Sequence, residues 1–374
     1  MKRTIAAVVM VTLAGVAVAL AYQAAARQAD YRAYIARGDT ALRDDQTFAA
    51  IEAYSGAIAL RADSMLAHLR LGETYQRRGN LDEAARELRI ASGLDPAATR
   101  PLEELGDVSY QQQQYARAVE AYVHATHVDE RSARVSYKLA LAQYRAGTLD
   151  AALQTARQSL ALDPRSSDAL YLLGLCLRDK RQTADALRAF EQAAAIAPGS
   201  IPAREELADL YRLLDRKNDE IEQLQLLAGL DRSHVERQEA LGLAHHRAGH
   251  GDLAVLTLGD ALERWPDDPG IYRALGRVWL DRARDDRALL KKAREALDRI
   301  AASPAATSET LTLYARARLQ EGEVEEADRV LQQAMNRYQV DPEAFALYAT
   351  IASSLGNVEA ARRAQTEYEA LTSK

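Results

Sequence analysis

Histidine supplies the most suggestive chemistry in this 374-residue sequence. His246 and His250 stand four apart, a spacing that lets two imidazoles on one helical face grip a metal ion, and His245 lies beside them. Gly249 and Gly251 interrupt that run, and no carboxylate or thiol stands at a matching spacing. Surface histidines are therefore expected, and His124 and His127, one turn apart, read the same way. Cys176, between Leu175 and Leu177, is expected to be a small buried hydrophobe rather than a nucleophile. The paired acids Glu103–Glu104 and Glu205–Glu206 suit a solvated helix face better than general acid/base work. The sequence has no His-Glu-x-x-His, Gly-x-x-x-x-Gly-Lys-Ser/Thr, Gly-x-Gly-x-x-Gly or Gly-x-Ser-x-Gly. No enzymatic activity, no metal and no cofactor is expected.

Composition narrows the remaining classes. Hydrophobic residues make up 48% and charged residues 27%, a globular balance. The net charge of −6 offers no basic excess for phosphate backbones, so no nucleic-acid partner is expected. One cysteine excludes an internal disulfide framework, a four-thiolate zinc ribbon and a thiolate-bound iron–sulfur cluster.

The elements that position these residues recur every 34 places. Gly38, Gly72, Gly106, Ala140, Gly174, Ala208, Gly242 and Gly276 keep that spacing. Twelve further on come Ala50, Ala84, Ala118, Ala152, Ala186, the exception Glu220, and Ala254. Four beyond these stand Tyr54, Leu88, Tyr122, Ala156, Phe190, Leu224 and Leu258. Each unit reads as two helices with a turn carrying Gly or Asn between them, as at Gly79-Asn80. Acidic residues such as Asp82-Glu83 open the second helix, where the dipole favours them. Proline closes several units at Pro96, Pro164, Pro198 and Pro266. Small residues at the eighth and twentieth places let the paired helices cross closely.

Gly72, Ala84, Leu88, Ala91 and Pro96 match the consensus of the tetratricopeptide repeat family, and the chain resembles that family over about nine-tenths of its length. Ten units are expected: 31–64, 65–98, 99–132, 133–166, 167–200, 201–234, 235–268, 269–307, 308–341 and 342–371. The first seven, 31–268, are regular except for Glu220 in the sixth. The eighth carries about five extra residues and fits only if Ala293, Leu297 and Ile300 take the expected places. The resemblance implies an all-α fold, an α-solenoid wound as a right-handed superhelix, whose first helices line a concave groove.

In similar repeat proteins, ligands lie along places two, five, nine, twelve and thirteen of the first helices. Place nine here begins Asp39, Glu73, Asp107, turns apolar at Leu141 and Leu175, and becomes Arg277 and Arg316 later. The groove thus reads as acidic at its start, apolar and aromatic in units four and five, and basic at units eight and nine. Tyr110, Tyr137, Leu141, Tyr144, Tyr171 and Leu175 are the candidate partner-binding residues, since aromatic side chains with polar tips anchor interfaces well. The alternative use of these side chains is packing between repeats. The Lys/Asn/Arg clamp that holds a C-terminal carboxylate in chaperone adaptors of this family is absent, for example at Leu69, Glu73 and Glu104.

Residues 1–30 read differently. Lys2 and Arg3 precede an uncharged run, 4–26, long enough for an anchor. Ala19-Leu20-Ala21 and Ala24-Ala25-Ala26 are candidate signal cleavage sites, and a short linker would follow. Uncleaved anchor, cleaved signal and buried helix remain open. The first two place the repeats in the cell envelope: anchored in the inner membrane through residues 4–26 and facing the periplasm, or free in the periplasm. The expected function is a non-catalytic scaffold of the bacterial envelope that binds peptides or helices of protein partners, in pilus, secretion, polysaccharide or outer-membrane assembly. The alternative is a regulatory subunit of an envelope enzyme such as a polysaccharide synthase or protease. A homodimer through the last repeat is a further expectation.

Overall fold

The computed structural model describes residues 2–284 and 286–373, with side chains from residue 13 onward in the first helix. The described residues form twenty helices, and contacts divide the chain into two units, Met1–Pro198 and Gly199–Lys374. The first unit holds α1 (Lys2–Arg43), α2 (Thr47–Leu60), α3 (Met65–Arg77), α4 (Leu81–Leu94), α5 (Thr99–Gln111), α6 (Tyr115–Val128), α7 (Ala133–Arg145), α8 (Leu149–Leu162), α9 (Ser167–Asp179) and α10 (Thr183–Ile196). The second holds α11 (Ile201–Leu213), α12 (Lys217–Leu230), α13 (Val235–Arg247), α14 (Gly251–Arg264), α15 (Pro269–Ala283), α16 (Arg287–Ala301), α17 (Ser308–Gln320), α18 (Val324–Met335), α19 (Pro342–Ser354) and α20 (Val358–Thr372). Helices pair in chain order, so every odd-numbered helix is the first of a repeat and every even one the second.

The caps follow the repeat frame. Ser64, Ser132 and Ser166 accept from the amides of Ala67, Val135 and Ala169, satisfying donors that the first turn of a helix leaves unpaired. Between the helices of a repeat, the fifteenth place sits in the left-handed region: Gly79, Gly147 and Gly249 have φ of 84°, 78° and 83°. Asp45, Gln113, Arg181 and Asp215 hold the same place with φ between 54° and 59°, a conformation costing side chains about 1 kcal/mol relative to glycine. Pro96, Pro164, Pro198 and Pro266 fall two residues past the ends of α4, α8, α10 and α14.

Within each repeat the eighth place meets the twenty-fourth. A Cβ at Gly106 would lie 2.4 Å from Tyr122, one at Gly174 2.5 Å from Phe190, and one at Gly72 2.7 Å from Leu88. Ala84, Ala118, Ala152 and Ala186 are wholly buried at this crossing. The core is a series of small clusters rather than one mass. Leu69, Ala84, Leu88 and Ala91, for example, share theirs with Val108 of the following repeat.

Three departures have physical causes. The first helix runs without a break from Lys2 to Arg43, across the boundary expected at residue 30. No Gly or Pro stands between Ala26 and Tyr31 to stop it. Glu220 at the alanine place is buried and tolerated because Arg247 of the next repeat pairs with it at 2.5 Å. In the eighth repeat Gly276 meets Leu297, and Ala293, Leu297 and Ile300 are buried, while α15 and α16 both lengthen to 15 residues. Among the described residues no helix is long and apolar enough to cross a membrane. The side chains of residues 4–12, where the expected anchor or signal begins, lie outside those described.

Candidate functional site

Within each unit, first helices of successive repeats lie side by side, and their charges interlock. Arg70 stands 3.6 Å from Asp39 and 3.1 Å from Glu73, and Arg100 reaches Glu73 at 2.6 Å. Glu103, only 4% exposed, receives both Arg134 and Lys138 at 2.7 Å, and Lys138 also binds Asp107. Burial alone would lower the Lys138 ammonium, but the hydrogen bonds to Asp107 and Glu103 outweigh it and hold it above its ordinary value. Two of the acids carry a second duty. Asp39 accepts from the Tyr54 hydroxyl at 2.7 Å, and Asp107 accepts from that of Tyr122. Burial, then the neighbouring carboxylate, raises both phenols. The start of the face is therefore not an acidic surface, as the place-nine column alone suggested. Its carboxylates are neutralised by cations one repeat further on.

The same correction applies to the basic stretch of the second unit. Arg273 pairs with Glu239 at 2.9 Å and with Glu309 at 3.3 Å. Arg277 reaches Glu309 at 2.6 Å, and Asp281 receives Arg316 and His246, each at 2.9 Å. These cations are matched by acids on neighbouring first helices.

Later in the first unit, on α7 and α9, the pattern changes. Tyr137 and Leu141 stand on α7 and Tyr171 and Leu175 on α9, all partly exposed. Phe190 replaces the phenol of other repeats, and Leu175 replaces the aspartate it would bind. Tyr171 rests against the Phe190 ring, 5.7 Å between centroids. Burial, then Asp168 of α9 and Tyr110 of α5, raises the Tyr137 hydroxyl. Tyr110 and Tyr144 flank the patch, also partly exposed. Tyr110 packs edge-on to Tyr115 at 5.3 Å and bonds Arg145. Tyr144 donates to Asp179 at 2.8 Å, and burial followed by that bond pushes its hydroxyl up to about 12. Thus the six candidate residues fall on three adjacent first helices, four at the centre and two tied down at the margins.

Sequence columns missed the ladder cations Arg70, Arg100, Arg134 and Lys138. The signal was present: Asp39 to Arg70, Glu103 to Arg134 and Asp107 to Lys138 are each 31 residues apart, one repeat less one helical turn.

The other chemistry-bearing residues have internal uses. Cys176 is buried, and burial, then Asp179, pushes its thiol up to about 11, away from a reactive thiolate. His246 is held by Asp281. His245 is not a surface residue: it is buried at an inward place of α13, its Nδ1 has no hydrogen-bond partner, and burial, then His250, lowers its pKa. Among the described residues no group of three or more metal-ligating side chains gathers.

The tetratricopeptide repeat model matches residues 35–99, 69–126, 103–166, 137–201 and 239–306, together more than half of the chain. No curated protein matches. Among solved structures, the Pseudomonas aeruginosa PilF structure is similar over 56% of this chain and 96% of its own, at 22% identity and a TM-score of 0.46. Yeast Tom70 is similar over 92% of both chains, at 13% identity and a TM-score of 0.47. YrrB, described as a repeat protein with an unusual peptide-binding site, is similar over 51% of this chain and 98% of its own, at 18% identity and a TM-score of 0.44.

Proposed function

The chain belongs to the tetratricopeptide repeat family, a fold of protein–protein interaction scaffolds that are typically non-catalytic, and on that premise we propose that it holds a partner segment against the α7–α9 patch. One observation carries this reading. The ion-pair ladder that occupies the first-helix face elsewhere in the first unit gives way there to Tyr137, Leu141, Tyr171 and Leu175. Apolar and aromatic area left partly open on a rigid helical face is what a docked segment can cover. The margins are polar and already fixed, as at Tyr144–Asp179, which suits a rim around an apolar centre. The occupant is an extended peptide or a short helix with two or three large apolar side chains.

The setting we propose is the bacterial cell envelope, with the scaffold serving assembly of an envelope complex. Support comes from Lys2 and Arg3 ahead of the uncharged run 4–26 and from the stretch of α1 whose side chains are described. Leu20 and Tyr22 there are 60% and 77% exposed, apolar area that a bilayer or a partner would cover. A photocrosslinking residue at the position of Tyr171, used in cells with the position of exposed Arg157 on α8 as control, tests the patch. A distinct partner product from position 171 alone is the expected result. No product there, or the same products from both positions, removes the patch from consideration.

A further inference from the structure

A second surface of the first unit stands outside both the ladder and the patch. Between α4 and α6 a groove of about 690 Å³ runs across α5. Its floor is Leu102, Leu105 and Ala121, and its walls carry Arg89 from α4 and Arg117 and His124 from α6. We propose that this groove binds an acidic segment of a partner protein, with an apolar side chain of that segment on the Leu102–Leu105 floor and carboxylates against Arg89 and Arg117.

The argument rests on unspent charge. Arginines of the first-helix face are matched to carboxylates, whereas neither Arg89 nor Arg117 is ion-paired to any described residue. Arg117 gives one hydrogen bond to the Gln114 amide oxygen at 2.7 Å, and both arginines are exposed. Glu120 is the one acid in the lining, and the groove is cationic on a chain of net charge −6. Guanidinium groups from the two helices that line the groove present planar forks suited to carboxylates. The apolar floor gives a free phosphate nothing to bind, but it suits a side chain between two acids. Basic character is not a property of the repeat frame. The equivalent groove of the second unit, about 460 Å³ over α19, has Ala360 where Arg117 stands and Glu367 where His124 stands.

The test is fluorescence anisotropy of the full chain with two labelled helical peptides of 15 residues. One carries leucines on a single face flanked by glutamates; the other has every glutamate replaced by lysine. The glutamate peptide is expected to bind, to weaken with added salt, and to bind Arg89→Glu/Arg117→Glu about tenfold less well. The lysine peptide is expected to bind the native chain at least about tenfold more weakly. Tyr137→Ala/Leu141→Ala should leave glutamate-peptide binding unchanged, which separates this groove from the α7–α9 patch. Circular dichroism checks the fold of the charge-reversed chain, and the milder Arg89→Gln/Arg117→Gln pair replaces it if folding suffers. No binding of the glutamate peptide, equal binding of both peptides, or loss only in the patch variant would overturn the proposal. So would a preference for phosphatidylglycerol vesicles that depends on Arg89 and Arg117, since the ligand would then be a lipid surface.

Discussion

The first-helix face is built in two ways within the first unit. From α1 to α7 it is a closed electrostatic circuit, in which Asp39, Glu73, Glu103 and Asp107 are held by Arg70, Arg100, Arg134 and Lys138. On α7 and α9 the same places hold Tyr137, Leu141, Tyr171 and Leu175, which leave apolar area facing outward. One backbone frame thus supports a stretch of paired charges and a stretch of partly exposed apolar and aromatic side chains. A closed circuit has little to offer a ligand, because a partner charge must displace an existing pair and gains little net energy. The open stretch instead presents partly exposed apolar and aromatic area.

Substitutions on either side break or sharpen that contrast. Gly174→Val should be the most damaging, because even its first carbon would lie 2.5 Å from Phe190, the ring that braces Tyr171. A loss of about 1–3 kcal/mol in denaturant unfolding is expected, together with loss of crosslinking from position 171. Gly106→Val, against Tyr122, should cost similar stability while sparing more of the crosslink. Next, Leu141→Glu with Leu175→Arg puts opposite charges in place of the apolar centre of the patch. Partner capture should fall about tenfold, equivalent to about 1.4 kcal/mol, while the melting temperature moves only a few degrees.

The phenol–aspartate pair separates the regions again. Tyr122→Phe removes the bond to Asp107 and should cost about 1 kcal/mol in stability. Phe190→Tyr offers a hydroxyl where Leu175 provides no acceptor, so it should destabilise rather than compensate. The smallest effect is expected at Glu104. Burial first, then Glu73 and Asp107, holds its carboxyl above the ordinary 4.5. A raised carboxyl favours the fold below its unfolded value and loses that contribution as pH climbs through the folded one. Glu104→Gln should therefore stabilise the chain at pH 7 by less than about 1 kcal/mol. The gain should vanish below pH 4.5, as a pH series of denaturant melts would show.

Much of this was readable before any coordinates. Gly72, Ala84, Leu88 and Ala91 mark a helix crossing because only small residues admit it, and the crossing stands where they place it. In the eighth repeat the displaced residues Ala293, Leu297 and Ile300 are buried, and Leu297 lies against Gly276. What escaped depends on reach across repeats. Asp39 looks like a free acid until Arg70 and Tyr54 are placed around it, and single columns of the frame never set those three together. His245 looked exposed because its neighbours His246 and His250 are polar, yet its place in the helix points inward. The partial exposure of Tyr137 and Tyr171 likewise depends on how far adjacent repeats cover them, which periodicity does not express.

The contact between the eighth and twenty-fourth places also bears on how the chain folds. Gly38 meets Tyr54, and Gly106 meets Tyr122, after an excursion of only 16 residues. Closing so short a loop costs little chain entropy, and contacts of low sequence separation form fast. Nuclei can therefore arise in several repeats at once and grow by docking neighbours, with no single rate-limiting long-range encounter. The eighth repeat must close 21 residues from Gly276 to Leu297 and should lag behind. Pulse-labelled amide exchange during refolding should show α15 and α16 gaining protection after α3 and α4.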